Sequence, residues 1–236
     1  MWLAAYLVAF WIFALVFTVI KSVRSGEIWP KSRRIREMPV ALAVSVKIVP
    51  AALAALFVFF MKPSGAVFYL LMAIGLCLCL LGDAAMEVNL LPGLGLFALA
   101  HIDFTIAFVL GVLTLGTSQV AILGAAIVFL VMIVYAYLLQ RYLQSSQKGL
   151  GKMRGPVIFY AILISLTLST SVLLCISSGI FAGAFAVLGA VLFVISDSLI
   201  GIRDFHHHFA KAAIAVQSTY YLAIFLLSMT VLIYIF

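Results

Sequence analysis

The sequence predicts an all-α fold, a polytopic membrane bundle of eight transmembrane helices, and three observations carry that prediction. Hydrophobic residues make up 67% of the 236-residue chain and charged residues 9%, against about 25% charged in an ordinary soluble domain. The mean hydropathy is +1.33. Polar, proline and glycine interruptions cut the chain into eight apolar runs, each about 20 residues long, the length that crosses about 30 Å of hydrocarbon at 1.5 Å per residue. That composition excludes a soluble domain, and one transmembrane domain over residues 1–236 is the expected organisation.

The first run, Trp2 to Ile20, has no basic n-region, exceeds the usual h-region of a signal peptide and is followed by Lys21 and Arg24, so it reads as a retained helix. The second, Val40 to Met61, holds Lys47 seven residues from its start. That is near the limit of snorkelling, so Lys47 is expected to pair with a carboxylate. The third, Ala66 to Met86, ends on Gly82-Asp83. The fourth, Pro92 to Leu113, is the least regular, because Asn89, Pro92, Gly93 and Gly95 crowd its start and His101 and Asp103 lie inside it. Val120 to Gln140 and Pro156 to Ile176 follow, the latter carrying Tyr160. The seventh, Ile180 to Ile202, contains Ser196-Asp197, and the eighth, Ala212 to Phe236, contains Gln217, Tyr220 and Tyr221. Gly75 and Gly189 each precede an aspartate by eight residues, and small residues let helices approach closely. The two segments hint at a pair of four-helix halves. Cys77, Cys79 and Cys175 support neither a disulfide framework nor a zinc signature. His206, His207 and His208 are consecutive and share no helical face, so they read as a solvated loop with no metal site.

Loop charge orients the bundle. Residues Lys21 to Pro39 hold six bases against two acids, and Arg141 to Arg154 hold four bases and no acid, whereas the turns on the opposite side contain only Lys62. The positive-inside rule then places both basic loops in the cytoplasm and both termini outside. Net charge of +7 is thereby explained by orientation, with some attraction to anionic lipid, and nucleic acid is not expected as a partner.

With that orientation, the polar residues inside the runs gather at one end. Lys47, His101, Tyr160, Gln217 and Tyr220 lie within about ten residues of a cytoplasmic entry, and Asp83, Glu87, Ser196, Asp197 and Ser198 lie near cytoplasmic exits. An ionisable side chain at a helix centre costs about 2.5 to 3.5 kcal/mol on insertion scales, so such residues mark functional sites by default. A cavity open to the cytoplasm or inner leaflet would satisfy them all. Asp83 and Glu87, four apart, share a face; His101 and Asp103, two apart, do not, so at most one of that pair belongs to the site. Structural roles compete at each position: the acids could be helix-end groups or partners of Lys47 and Arg203, and the tyrosines could belong to an interfacial belt.

Lys47 with Pro50, Gly82-Asp83, Phe97 with His101, Tyr160, Ser196-Asp197 and Tyr220-Tyr221, in that order over essentially the whole chain, resemble the YhhN/TMEM86 family of eight-helix membrane proteins. Glu87 and Asp103 have no clear counterpart in that pattern, and Ile224 stands where a polar residue is expected. The resemblance implies a lysoplasmalogenase-like hydrolase that cleaves the vinyl ether of a lysoplasmalogen to a fatty aldehyde and glycerophosphoethanolamine or glycerophosphocholine. Asp83 and Asp197 would be the catalytic acid and base, in either assignment, much as paired carboxyls serve glycoside hydrolysis. Lys47, His101, Tyr160, Ser196, Tyr220 and Glu87 would support them or bind substrate. No cofactor is required, and the partners are a lysophospholipid and the bilayer, with oligomeric state left open. The expected location is the plasma membrane of a bacterium or the endoplasmic reticulum of a eukaryote, with the site in the cytoplasmic half. The alternative from another class is a transporter or proton-coupled carrier for a small amphiphile, since ionisable residues at depth also serve relays.

Overall fold

The computed structural model describes residues 2–28, 35, 37–61 and 67–234. Among them, eight helices are long and apolar enough to cross a membrane. They are α1 (Trp2–Arg24), α2 (Val40–Met61), α3 (Val67–Met86), α4 (Leu90–Leu115), α5 (Gln119–Gln144), α6 (Arg154–Ser178), α7 (Ile180–Gly201) and α8 (Ala212–Met229). Short helical turns add Gly151–Met153 before α6, a wide turn Ile202–His206 after α7 and Thr230–Tyr234 after α8. Lys31, Arg33, Arg34, Arg36, Lys62, Ala66 and Phe236, used above for charge and run ends, lie outside the described residues.

The helix ends follow local chemistry. Asn89 caps α4 with its side chain accepting from the Leu91 N–H at 3.0 Å, so the Asn-Leu-Leu-Pro stretch is the start of this helix, and Pro92 sits in the first turn, where its missing N–H costs nothing. Ser118 caps α5 in the same way, accepting from Ala121 N–H at 3.2 Å. The first turn of α8 is capped from a distance. Lys211 adopts a left-handed conformation (φ 59°) and offers no side-chain cap, and the Glu27 carboxylate accepts from Ala213 N–H at 2.9 Å. At the other end of its run, α1 continues four residues past Ile20, with Ser22 and Val23 buried. Lys21 is therefore a helix residue and not part of a linker.

Each helix packs on the next in sequence, except that α4 and α5 are joined through α6; α8 returns to α1, α2 and α3. Seven helices thus close a ring, α1–α2–α3–α4–α6–α7–α8, and α5 stands outside it against α6. Because α5 has a single long neighbour where α1 has two, the two halves of the chain are not packed alike. Little of α5 is buried. At one end of the bundle Lys21 meets Glu87, Glu27 meets the start of α8, and Ser146 donates to the His206 carbonyl at 2.9 Å, while toward the other end Tyr6 of α1 bonds Ser228 of α8 at 2.6 Å.

Glycines set how closely several pairs approach. A Cβ on Gly189 of α7 would lie 2.9 Å from Leu227 Cγ, 3.1 Å from Leu227 N and 3.2 Å from Ala223 O on α8, and backbone atoms cannot turn aside. Gly75 of α3 is closed in the same way by the Phe104 ring. A Cβ on Gly95 of α4 would meet nothing within 4 Å beyond its own helix among the described residues. Gly189→Ala is therefore expected to lower the melting temperature in detergent, by about 1–3 kcal/mol of overpacking, whereas Gly95→Ala is expected to be neutral or to stabilise by up to about 1 kcal/mol through helix propensity. Equal melting of the two variants would show that the α7–α8 approach is not tight.

Candidate active site

Lys47 is the central cation. It lies in the second turn of α2 and is only 5% exposed. Its Nζ stands 3.1 Å from Glu87 Oε1 and 3.5 Å from Asp83 Oδ1, so the two acids four residues apart, Asp83 in the last turn of α3 and Glu87 just past its end, do meet the same base. Glu87 is shared: Lys21 Nζ on α1 donates to both its oxygens at 2.8 Å. Asp83 takes its second contact from α8, where Tyr220 donates to Oδ2 at 2.7 Å. Three residues beyond Lys47, Pro50 cannot donate to the Val46 carbonyl and loosens the helix. The adjacent Lys47 carbonyl accepts from Tyr221 at 3.3 Å. Arg203 does not join this network; its partner is the neighbouring Asp204, at 2.7 Å.

Asp197, on α7, has different surroundings. Among the described residues it makes no ion pair, and Tyr160 of α6 donates to its Oδ2 in a short hydrogen bond. Behind Tyr160 stands His101 of α4, with Nε2 3.1 Å from the phenol oxygen and Nδ1 3.1 Å from Thr167 Oγ1. Since the tyrosine proton goes to Asp197, the phenol oxygen accepts from Nε2–H, and Nδ1 is left to accept. His101 thus acts on Tyr160 and does not touch either aspartate. Asp103 turns the other way, toward Gly75 of α3. Ser196 is fully buried and donates to the Val216 carbonyl at 3.3 Å, tying α7 to α8 beside the site. Ser198 faces α5, bonded to Tyr135 at 2.8 Å.

Aromatic rings floor the site. Phe193 packs edge-on against His101 (4.7 Å between centroids), Tyr220 (5.6 Å) and Phe97 (5.8 Å). Phe97 in turn lies over Gly82, where a Cβ would come within 3.0 Å of the ring. The glycine of Gly82-Asp83 is thereby explained by the ring that packs on it. His206, in the wide turn after α7, stacks on Tyr142 of α5 at 4.0 Å. Among the described residues, no three His, Cys, Asp or Glu side chains converge as a metal-ligand group.

Two spaces meet at Asp197. A small polar chamber of about 30 Å³ is lined by Lys47, Asp83, Ser196, Asp197, Gln217 and Tyr220, with Met86, Phe97, Ile200 and Val216. An apolar groove of about 270 Å³ runs between α5 and the α4–α6–α7 side, from Met132 and Ile164 to Leu143, Met153 and Phe205. Its axial extent along α5, from Met132 to Leu143, is about 16 Å at 1.5 Å per residue. Met86, Phe97, Asp197 and Ile200 line both. Exposed Ile133, Tyr137, Ile158 and Ile162 among the groove residues show that it opens to the outside of the bundle. Asp197 is partly accessible there, while Asp83 is buried at 2%. Two residues at this end stand apart from the sequence-based candidates: Lys21, hidden by an underestimated helix length, and Gln217, whose position five residues into α8 put it in the right layer.

These features define a class: a multi-pass membrane protein in which two aspartates border one small chamber at the head of an apolar groove. The YhhN family profile matches residues 42–231. The chain belongs to the YhhN family. It is similar to human lysoplasmalogenase TMEM86B, 28% identical over 192 residues that cover 80% of this chain and 75% of the human protein. No solved structure matches the chain.

Glu87 lies just past the end of its membrane span. Burial pushes its carboxyl up, but Lys47 and Lys21 outweigh burial and hold it below the usual glutamate range. A depressed folded value means that the pairing stabilises the protein above the unfolded value of about 4.3 and that this contribution fades as pH falls through the folded value. The melting temperature of wild type should therefore fall on acidification below about pH 4.3 more steeply than that of Glu87→Gln. Parallel curves would show that the Lys21–Glu87–Lys47 pairing contributes nothing to stability.

Proposed function

We propose that this protein is a lysoplasmalogenase-like hydrolase, in which Asp197 is the acid and Asp83 the base. One observation supports this above the rest: two aspartates in unlike electrostatic settings, one buried and one partly accessible, face one small chamber at the junction with an apolar groove. The kinship with a protein named lysoplasmalogenase supports the reaction, and the asymmetry supports the assignment of roles. An ammonium beside a carboxylate favours its ionised form, and Lys47 is beside Asp83 alone of the two. Asp197, with no cation in contact among the described residues and Tyr160 on Oδ2, keeps Oδ1 to carry the reactive proton.

The chemistry then runs in three acid–base steps. Asp197 gives its proton to the outer carbon of the vinyl ether, and the ether oxygen's electron pair forms the oxocarbenium ion. Water adds to the inner carbon while Asp83 takes its proton, giving a hemiacetal. Collapse returns the hemiacetal hydroxyl proton to Asp197, and the departing glycerol oxygen takes the proton held by Asp83. The products are aldehyde and glycerophospho-alcohol, and both carboxyls are restored. The chain of the substrate would lie in the groove, and its headgroup would leave at the mouth near Gln140 and Met153, close to Arg141, Lys152 and Arg154. By the positive-inside rule, that mouth faces the cytoplasm.

The reading is tested with purified protein, lysoplasmalogen and an ordinary acyl lysophospholipid. Fatty aldehyde is expected from the first and no fatty acid from the second, and in D2O the trapped aldehyde should carry one deuterium next to the carbonyl carbon. Asp83→Asn and Asp197→Asn should each lower turnover by about 10²–10⁴-fold, the usual range for general acid–base groups. Added azide should restore Asp83→Gly and leave Asp197→Gly inactive. Full activity in either asparagine variant, or uptake of the amphiphile into sealed vesicles without turnover, would overturn the proposed reaction.

A further inference from the structure

Gln217 takes no part in the acid–base steps, yet it lines the chamber and not the groove. Its side chain is 5% exposed, and Oε1 is buried with no hydrogen-bond partner among the described residues. A buried amide oxygen left unpaired is costly unless a ligand satisfies it. The neighbouring groups are already engaged: Asp83 by Lys47 and Tyr220, Asp197 by Tyr160, and Ser196 by Val216 O. Gln217 thus has bonding capacity to spare that the acid–base steps do not use.

Its position in the chamber says what would fill that capacity. If the vinyl ether sits at Asp197, where groove and chamber meet, the alkyl chain runs into the groove and the glycerol carbons follow the ether oxygen. The hydroxyl on glycerol C2 is three bonds from that oxygen, on the chamber side. A chamber of about 30 Å³ admits a hydroxyl and a water but not an acyl chain, since one water needs about 10–15 Å³ on this measure. A hydroxyl both donates and accepts, so it suits the amide whichever of its ends faces the ligand. We propose that Gln217 is a specificity-determining residue that hydrogen-bonds the free C2 hydroxyl of a single-chain glycerolipid, and that the chamber around it excludes lipids acylated at that position. The proposal rests on the placement of substrate described above.

The test uses a saturated 1-O-alkyl lysophospholipid, which has no vinyl ether to cleave, and its 2-deoxy counterpart. Binding of each is measured by calorimetry, in matched detergent micelles, for wild type, Gln217→Leu and Gln217→Met. Wild type is expected to favour the hydroxyl-bearing lipid by about tenfold, the effect of one buried hydrogen bond. Both variants should lose that preference while binding the 2-deoxy lipid as wild type does. Equal weakening of the two lipids would overturn the proposal, since it assigns Gln217 to water or to packing. So would a wild type without preference, which needs no variant to fold, or one that binds neither lipid. Because no turnover is involved, a missing aldehyde product would sink the reaction proposed above and leave the hydroxyl preference to be judged separately.

Discussion

The ammonium of Lys47 is the constraint from which the rest of this end of the bundle follows. A cation among apolar helices is tolerated only when paired and hydrogen-bonded, and here the pairing recruits several elements. α3 brings Asp83 and, in the turn just past its end, Glu87, α1 brings Lys21 to share Glu87, and α8 brings Tyr220 to Asp83 and Tyr221 to the lysine carbonyl. Four helices are thereby fixed around one charge. The other four owe their place to packing and to a neutral chain of hydroxyl, imidazole and phenol that ends on Asp197. The site is built on the seam between an ionic side and a neutral one.

That seam is why two identical side chains stand in unlike surroundings. Asp83 is closed in by a base and a phenol, whereas Asp197 sits at a wall shared with an apolar groove. The aromatic cluster of Phe97, Phe193, His101 and Tyr220 closes the floor beneath both. In this arrangement the glycine of Gly82-Asp83 and the phenylalanine fifteen positions later are one feature, a ring laid on a bare backbone.

Much of this was legible in the sequence, for identifiable reasons. A span needs about 20 apolar residues, so lengths revealed the helices, and the second run ended where α2 does. The spacing of Asp83 and Glu87 showed a shared face because helical period is fixed, and Lys47 needed a partner because of its depth. Which helices touch was not legible. In a membrane, lipid-facing and interior-facing residues are alike apolar, so the eight runs look equivalent and nothing marks α5 as the one outside the ring. Lys21 was hidden because a base near a helix end reads equally as linker. Asn89 could have been recognised as a cap, since Asn before a proline-containing first turn is a start signal, and its polar character was read as an irregularity instead.

The position of α5 has a consequence for how the proposed enzyme would meet its substrate. The groove is walled by a helix with one long neighbour and opens between membrane-facing side chains such as Ile133 and Ile162. A lipid entering there comes sideways out of the leaflet and never crosses water. The quantity that governs its rate is then a two-dimensional one, the mole fraction of lysolipid in the surrounding film. Inert lipid added at constant total substrate would compete by dilution alone, and the same catalyst would work faster in a small vesicle rich in its substrate than in a large membrane holding the same amount.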